Sequence, residues 1–318
     1  MKRATKSIII TGGNTGLGLE AAKVIAGASS EWHVIVAARS QTKGTAAVQA
    51  LIQSTNNPHI SSMELDLSSL ASIQRFAERF SQAGLPPLHA IICNAGAQFV
   101  QNTQVTVDGF EATFGVNHIG HFLLVRLLLP QLQESGRILI VSSDTHDPSK
   151  KTGMPAPSYF PPAKMADPAA SDNLLDGLSS LAKGQTRYTT SKLCNLYFAY
   201  ELSRRIVQTG SSISVMTFNP GMMPGKGSSL ARDYSPLLRF MWNHVLPLMR
   251  FFRSSIRTTK QSGADLANLI LRDDISSSSG TYWDGPKKIL SSEESYNRDR
   301  AMDLWNWTSK RLKLEADI

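Results

Sequence analysis

The 318-residue sequence predicts an α/β fold of one domain, a doubly wound parallel sheet with helices on both faces. Three observations carry this. Short apolar runs alternate with longer amphipathic stretches over the first 143 residues. Most of the runs are rich in Ile or Val, as strands buried on both faces are. A glycine-rich turn stands where the first run passes into the first helical pattern. With 42% hydrophobic residues, the chain can bury one large core.

Strands are expected at 7–11, 33–37, 60–65, 90–93 and 137–142, with helical patterns at 16–26, 45–54, 70–82 and 110–129 between them. From 144 to 187 the periodicity breaks at Pro148, Pro155, Pro157, Pro161, Pro162 and Pro168. This reads as an inserted surface loop with one short helix near 173–182. A long helix follows at about 186–209 and a strand at 213–218. The chain closes with a helix near 261–271, a strand near 281–283 and a helix near 294–312.

Composition excludes several classes. The net charge is +8, but Lys and Arg are scattered and no block of five like charges occurs, so no nucleic-acid partner is expected. The only cysteines, Cys93 and Cys194, imply no disulfide framework and suit a reducing, cytoplasmic compartment. Lys2, Arg3 and Lys6 precede the apolar Ile8-Ile9-Ile10, a run too short for a signal peptide. No transmembrane span is expected. The best candidate, 235–253, carries Arg239, His244 and Arg250. His146 and His244 have no companions at ligand spacing, so no metal site is expected.

The first strand runs into Thr11-Gly12-Gly13-Asn14-Thr15-Gly16-Leu17-Gly18. Gly12 permits the tight turn, Gly16 lets the backbone approach a pyrophosphate, and Gly18 allows close helix–sheet packing. The following helix N-terminus supplies N–H groups for phosphates. At the end of the second strand, where a carboxylate would select NAD(H), stand Ala38, Arg39 and Ser40. Arg39 can pair with a 2′-phosphate and Ser40 can donate to it, with Lys43 adding charge, so the cofactor expected is NADP(H).

Tyr188 and Lys192 share one helix face at a spacing of four. A neighbouring ammonium favours a phenolate and suits the tyrosine to acid–base work. Ser143 ends the fifth strand and could donate to a substrate carbonyl oxygen. Asn117 lies within the long helix before it, and Asn94-Ala95-Gly96 forms a turn after the fourth strand.

In this order, Thr11–Gly18, Asp66, Asn94–Gly96, Asn117, Ser143 and Tyr188–Lys192 resemble the motif series of short-chain dehydrogenases/reductases. The match covers roughly the first 220 residues, through Asn219-Pro220-Gly221. The resemblance implies a Rossmann-type domain and hydride transfer at a nicotinamide. Tyr188 would be the acid/base, and Lys192 would lower its pKa while binding the ribose. Ser143 would polarise the carbonyl, Asn117 would support a relay water, and Asp66 would contact the adenine. The cofactor contacts implied are Gly12, Asn14, Thr15, Gly16, Leu17, Gly18, Arg39, Ser40, Asp66, Leu67, Asn94, Ala95, Gly96, Tyr188, Lys192, Pro220 and Gly221.

Val116–Phe122, Ser191–Asn195 and Gly280–Trp283 resemble the branch that holds retinol dehydrogenases, WW-domain oxidoreductases and light-dependent protochlorophyllide reductases. The 45 positions between Ser143 and Tyr188 are similar to the insertion of the last group. Gly96 and Val116 stand where those reductases typically have alanine and threonine. Gly225 stands where the wider family commonly has a threonine for the carboxamide.

By the same resemblance, 222–260 would cover the nicotinamide. Leu237, Phe240, Met241, Trp242, Met249 and Phe252 suit a bulky apolar substrate. Arg239, Arg250 and Arg253 would suit peripheral contact with an anionic membrane through 235–253. A core helix or a subunit interface fits the same residues, and the oligomeric state stays open. The function expected is NADP(H)-dependent interconversion of a bulky carbonyl and its alcohol. The alternatives are reduction of a tetrapyrrole C=C bond, and a sensor that binds NADP(H) without catalysis.

Overall fold

Strand β1 (Lys6–Thr11) alternates its isoleucines between two faces of a sheet, because successive side chains in a strand point opposite ways. Ile9 joins Ile35, Ile91 and Ile138 against Phe76, Phe122, Phe198 and Trp305. Ile8 and Ile10 join Val34, Val36 and Leu139 against Leu17, Ile25 and Leu266 on the other face. Both faces are apolar, which is why the strands read as unbroken hydrophobic runs. The computed structural model describes residues 3–225, 230–251, 255–275 and 278–318. Phe252 and Arg253, and the side chains of Arg250 and Phe251, lie outside that description.

The sheet continues with β2 (Trp32–Ala38), β3 (Ile60–Glu64), β4 (Leu88–Cys93), β5 (Leu132–Val141), β6 (Ser214–Asn219), β7 (Thr281–Asp284) and β8 (Lys287–Ile289). Its order is β3-β2-β1-β4-β5-β6-β7-β8. Neighbours pair in parallel up to β7, and β8 returns antiparallel. The order reverses between β1 and β4, the switch point where such sheets bind ligands. The helices α1 (Gly16–Ala28), α2 (Gln41–Thr55), α3 (Leu70–Gln82) and α4 (Ala112–Gln131) link the first five strands. α4 has the length and hydropathy of a membrane span, but 78% of its apolar window is buried inside the protein. It is the core helix behind β4 and β5.

The inserted segment differs from expectation. The helix near 173–182 is absent; two short helices, α5 (Pro162–Ala166) and α6 (Pro168–Asn173), precede it. Both begin with a proline, whose missing N–H costs nothing in a first turn. Asp167 caps the second by accepting from Ala170 N at 2.7 Å. The long helix α7 (Ser180–Gln208) starts at Ser180 rather than near Thr186. Its early turns are set by Gly184, where an added Cβ would lie 2.1 Å from Phe99 O. The two helices α8 (Thr259–Leu271) and α9 (Arg298–Arg311) complete the layers. The short edge strand β8 was not anticipated; Lys287 and Lys288 leave it little apolar signal.

Candidate active site

The site forms at the carboxyl ends of β1, β4, β5 and β6. Thr11, the last residue of β1, accepts the backbone N–H groups of Asn94 and Ala95, each at 2.9 Å. Asn94 Nδ2 donates back to Thr11 O at 2.7 Å. The turn after β4 is thereby tied to the glycine turn. Gly12 and Gly16 have φ of +64° and +56°, the left-handed region that other residues disfavour. At Gly18 an added Cβ would lie 2.5 Å from Asn94 Nδ2 and 2.7 Å from Gly12 O. Gly18 thus makes room for Asn94 and the turn itself, rather than for the sheet.

These residues fit the pyrophosphate of a dinucleotide. Thr15, exposed at the N-terminus of α1, makes no side-chain capping bond, so the first N–H groups of α1 are available to phosphate oxygens. Arg39 is exposed and forms no ion pair among the described residues. Ser40 caps α2, accepting from Lys43 N at 3.4 Å, so its hydroxyl hydrogen remains for another partner. Asp66 Oδ1 takes Ser68 N at 3.0 Å and Ser68 Oγ at 2.7 Å. Leu67 is buried, its carbonyl 2.5 Å from where a Cβ on Gly120 would stand.

The catalytic candidates converge from three elements. Asn117 sits in a π-helical turn of α4 (Gly115–Ile119) and is fully buried. Its Oδ1 accepts from Ala97 N at 2.7 Å, and its Nδ2 donates to Ala97 O and to Ser191 Oγ, both at 2.9 Å. A Cβ on Gly96 would stand 3.5 Å from Asn117 Oδ1 and 3.7 Å from Lys192 Nζ, so Gly96, Asn117 and Lys192 meet at one point. Ser191 Oγ donates to Tyr188 O at 2.7 Å. Ser142 Oγ donates to Lys192 O at 2.8 Å and fastens the end of β5 to α7. Ser143 follows, donating to Asp144 Oδ1 at 3.3 Å.

Two electrostatic features depart from the expected roles. Lys192 Nζ donates to Val141 O at 3.1 Å and lies 5.4 Å from the centre of the Tyr188 ring. Burial lowers the lysine to about 8. The Tyr188 hydroxyl is pushed up, first by burial, then by Asp144 and Tyr234. With the ammonium turned to a carbonyl, Lys192 is not among the groups that shift Tyr188, whose rise comes first from desolvation.

Several neighbours escaped the sequence reading. Tyr234 acts on Tyr188, and its hydroxyl accepts from Gln185 Nε2 at 3.3 Å and donates to Gln98 Oε1 at 3.5 Å. Asp233 Oδ2 accepts Val100 N at 2.7 Å and Gln101 N at 3.0 Å. The described part of 222–260 is thus fastened beside the site. Past β6, Gly221 N donates to Asn219 Oδ1 at 3.0 Å, and Asp284 Oδ1 takes both Asn219 Nδ2 and Arg257 Nη2 at 2.9 Å. Ser262 Oγ donates to Pro220 O at 2.7 Å. Gly225 has φ of +124°, and 226–229 lie outside the described residues. Only Tyr234, a large aromatic among polar residues, carried any signal in the sequence.

Comparison with known proteins identifies the family. The short chain dehydrogenase family profile matches residues 6–157, and an AcuH dehydrogenase domain profile matches 229–316. The chain is 33% identical to a WW domain-containing oxidoreductase of Gallus gallus over 97% of its length and 68% of the relative's. It is 32% identical to the chloroplastic protochlorophyllide reductase A of Oryza sativa subsp. japonica, covering 96% of this chain and 80% of that one. A short chain dehydrogenase from Shigella flexneri, solved in complex with NADP, shares the fold with a TM-score of 0.59 at 19% identity, over 90% of this chain and 98% of that one. The chain belongs to the short-chain dehydrogenase/reductase family of oxidoreductases, in the branch of the protochlorophyllide reductases and their retinol dehydrogenase-like relatives.

Proposed function

We propose that this protein is an NADP(H)-dependent oxidoreductase that interconverts a bulky apolar carbonyl and its alcohol. The observation that carries the proposal is the meeting of Asn117, Gly96 and Lys192 beneath the helix that bears Tyr188. The exposed, unpaired Arg39 at the end of β2 supports the 2′-phosphorylated cofactor, as does the NADP held by the structural relative. When bound, the nicotinamide supplies or accepts the hydride.

The chain's own residues handle the rest. Tyr188 keeps its proton at neutral pH, as a tyrosine does, and burial strengthens that hold until a developing alkoxide takes it. Lys192, lowered to about 8 by burial and held at Val141 O beside Gly96, would bind the ribose of the cofactor. Ser143 donates to the same oxygen as charge grows on it. Tyr234 and the buried Trp242 border the substrate side, where the apolar surface of 235–249 begins.

The test is a panel of carbonyls and alcohols with NADPH or NADP⁺. Tyr188→Phe should reduce turnover about 10²–10⁴-fold while leaving cofactor affinity within a factor of about two. Unchanged turnover would remove Tyr188 from the chemistry. A second reading, C=C reduction in a tetrapyrrole, draws on the relatives named protochlorophyllide reductase. Light-dependent turnover of protochlorophyllide would establish it in place of the first.

A further inference from the structure

His121 lies one turn beyond Asn117 on α4 and is almost wholly buried. Both of its ring nitrogens are engaged. Nδ1 is 3.1 Å from Asn117 O, and Nε2 is 2.9 Å from Thr11 Oγ1. A carbonyl only accepts, so Nδ1 carries the hydrogen. Nε2 of the neutral ring is then an acceptor, and the Thr11 hydroxyl donates to it. That hydroxyl also takes Asn94 N and Ala95 N on its lone pairs. Every position on Thr11 Oγ1 and on the imidazole is used.

We infer that His121 is a positioning residue that couples the glycine turn to the catalytic asparagine. The path is continuous, and it is buried as far as Ser191. It runs from Thr11, at the mouth of the turn, through His121 to Asn117 O. It continues through Asn117 Nδ2 to Ser191 Oγ, and from Ser191 to Tyr188 O. The π-helical turn sets the direction of this carbonyl, because a π turn displaces the ordinary helical bonding around it. His121 then holds the carbonyl in a fixed place. NADPH that steadies the glycine turn would steady Thr11, and the imidazole would pass that restraint to Asn117. The inference rests on the cofactor site proposed above.

The experiment is amide hydrogen exchange on the full chain with and without NADPH, paired with kcat and KM for a carbonyl substrate. In the wild type, NADPH should protect the glycine turn and also residues 115–120. His121→Phe keeps a ring and removes both bonds, and Thr11 Oγ1 can turn to Ile92 O, 3.3 Å away. This variant should keep protection at the glycine turn, lose it at 115–120, and lower kcat about tenfold at unchanged KM. His121→Asn restores a donor near Asn117 O but does not reach Thr11. It should recover kcat to within about threefold without recovering the transmitted protection. If His121→Phe does not fold, His121→Asn decides alone, and transmitted protection equal to the wild type overturns the inference. Wild-type transmission and kcat in a folded His121→Phe overturn it as well. Protection confined to the glycine turn in the wild type removes the coupling and leaves the cofactor reading intact. No protection anywhere removes both.

Discussion

The inner half of the site and the segment that covers it are built on opposite principles. Inside, Asn117, His121, Ser191 and Lys192 are buried and their polar atoms are bound to protein. Outside, Leu237, Leu248 and Phe240 are 70%, 62% and 57% exposed, and Trp242 Nε1 is buried without a partner among the described residues, as His118 Nδ1 is inside. The linked bonds of Asn117, His121, Ser191 and Lys192 favour one geometry, since moving any of these members orphans others. An apolar surface with a spare donor fits more than one ligand. The chemistry is therefore held by the core, and the substrate side is left adaptable.

Acid should break the inner half first. Burial lowers His118 to about 3 and His121 to about 4 from an ordinary 6.5. The folded state then binds fewer protons than the unfolded one. The histidines' contribution to stability is full above pH 6.5 and is lost as pH falls toward 4 for His121 and 3 for His118, by on the order of 3 kcal/mol or more per histidine. Urea unfolding across that range measures it. His118→Gln should flatten the decline, and an identical slope would show that His118 does not contribute.

Crowding the glycine turn comes next. Gly18→Ala pushes a methyl against Asn94 and the Gly12 carbonyl, with an expected cost of about 1–3 kcal/mol. NADPH titration should show weakened binding in step, and full affinity would mean that the turn yields freely. Arg39→Ala leaves the fold alone and should weaken NADPH about 10–100-fold more than NADH. Equal losses for both would take the 2′-phosphate away from Arg39. The smallest effect belongs to the outer half. Phe240→Ser should change stability by less than about 0.5 kcal/mol. If 235–253 meets an anionic membrane, the same variant should bind acidic vesicles less well than the wild type, and undiminished binding would leave that contact without support.

The fold was legible because its signals are local. The run Ser7–Thr11 reads as a buried strand from composition alone, and Gly12 and Gly16 mark a turn that needs positive φ. Tyr188 and Lys192 share a helix face by spacing. The insertion was less legible. Pro162 and Pro168 look like breaks, yet they open helices, and tertiary bonds such as Glu111 N to Ala166 O at 2.7 Å and Arg187 Nη2 to Asp172 Oδ1 at 2.8 Å hold those helices in place. Tyr234 lies in the segment expected to cover the nicotinamide, but nothing in its local sequence points to Tyr188, 46 positions back.

Sequence by itself determined the order of the first seven strands and the glycine turn between β1 and α1, and it offered Asn117, Ser143, Tyr188 and Lys192 as the expected set. Tertiary structure decided that the Lys192 ammonium turns to Val141 O, that burial raises Tyr188, and that His121 joins Thr11 across 110 positions. The reason is physical. Periodicity and turn chemistry act over a few residues, whereas desolvation and long-range hydrogen bonds exist only once β1, β4 and β5 have brought their ends together.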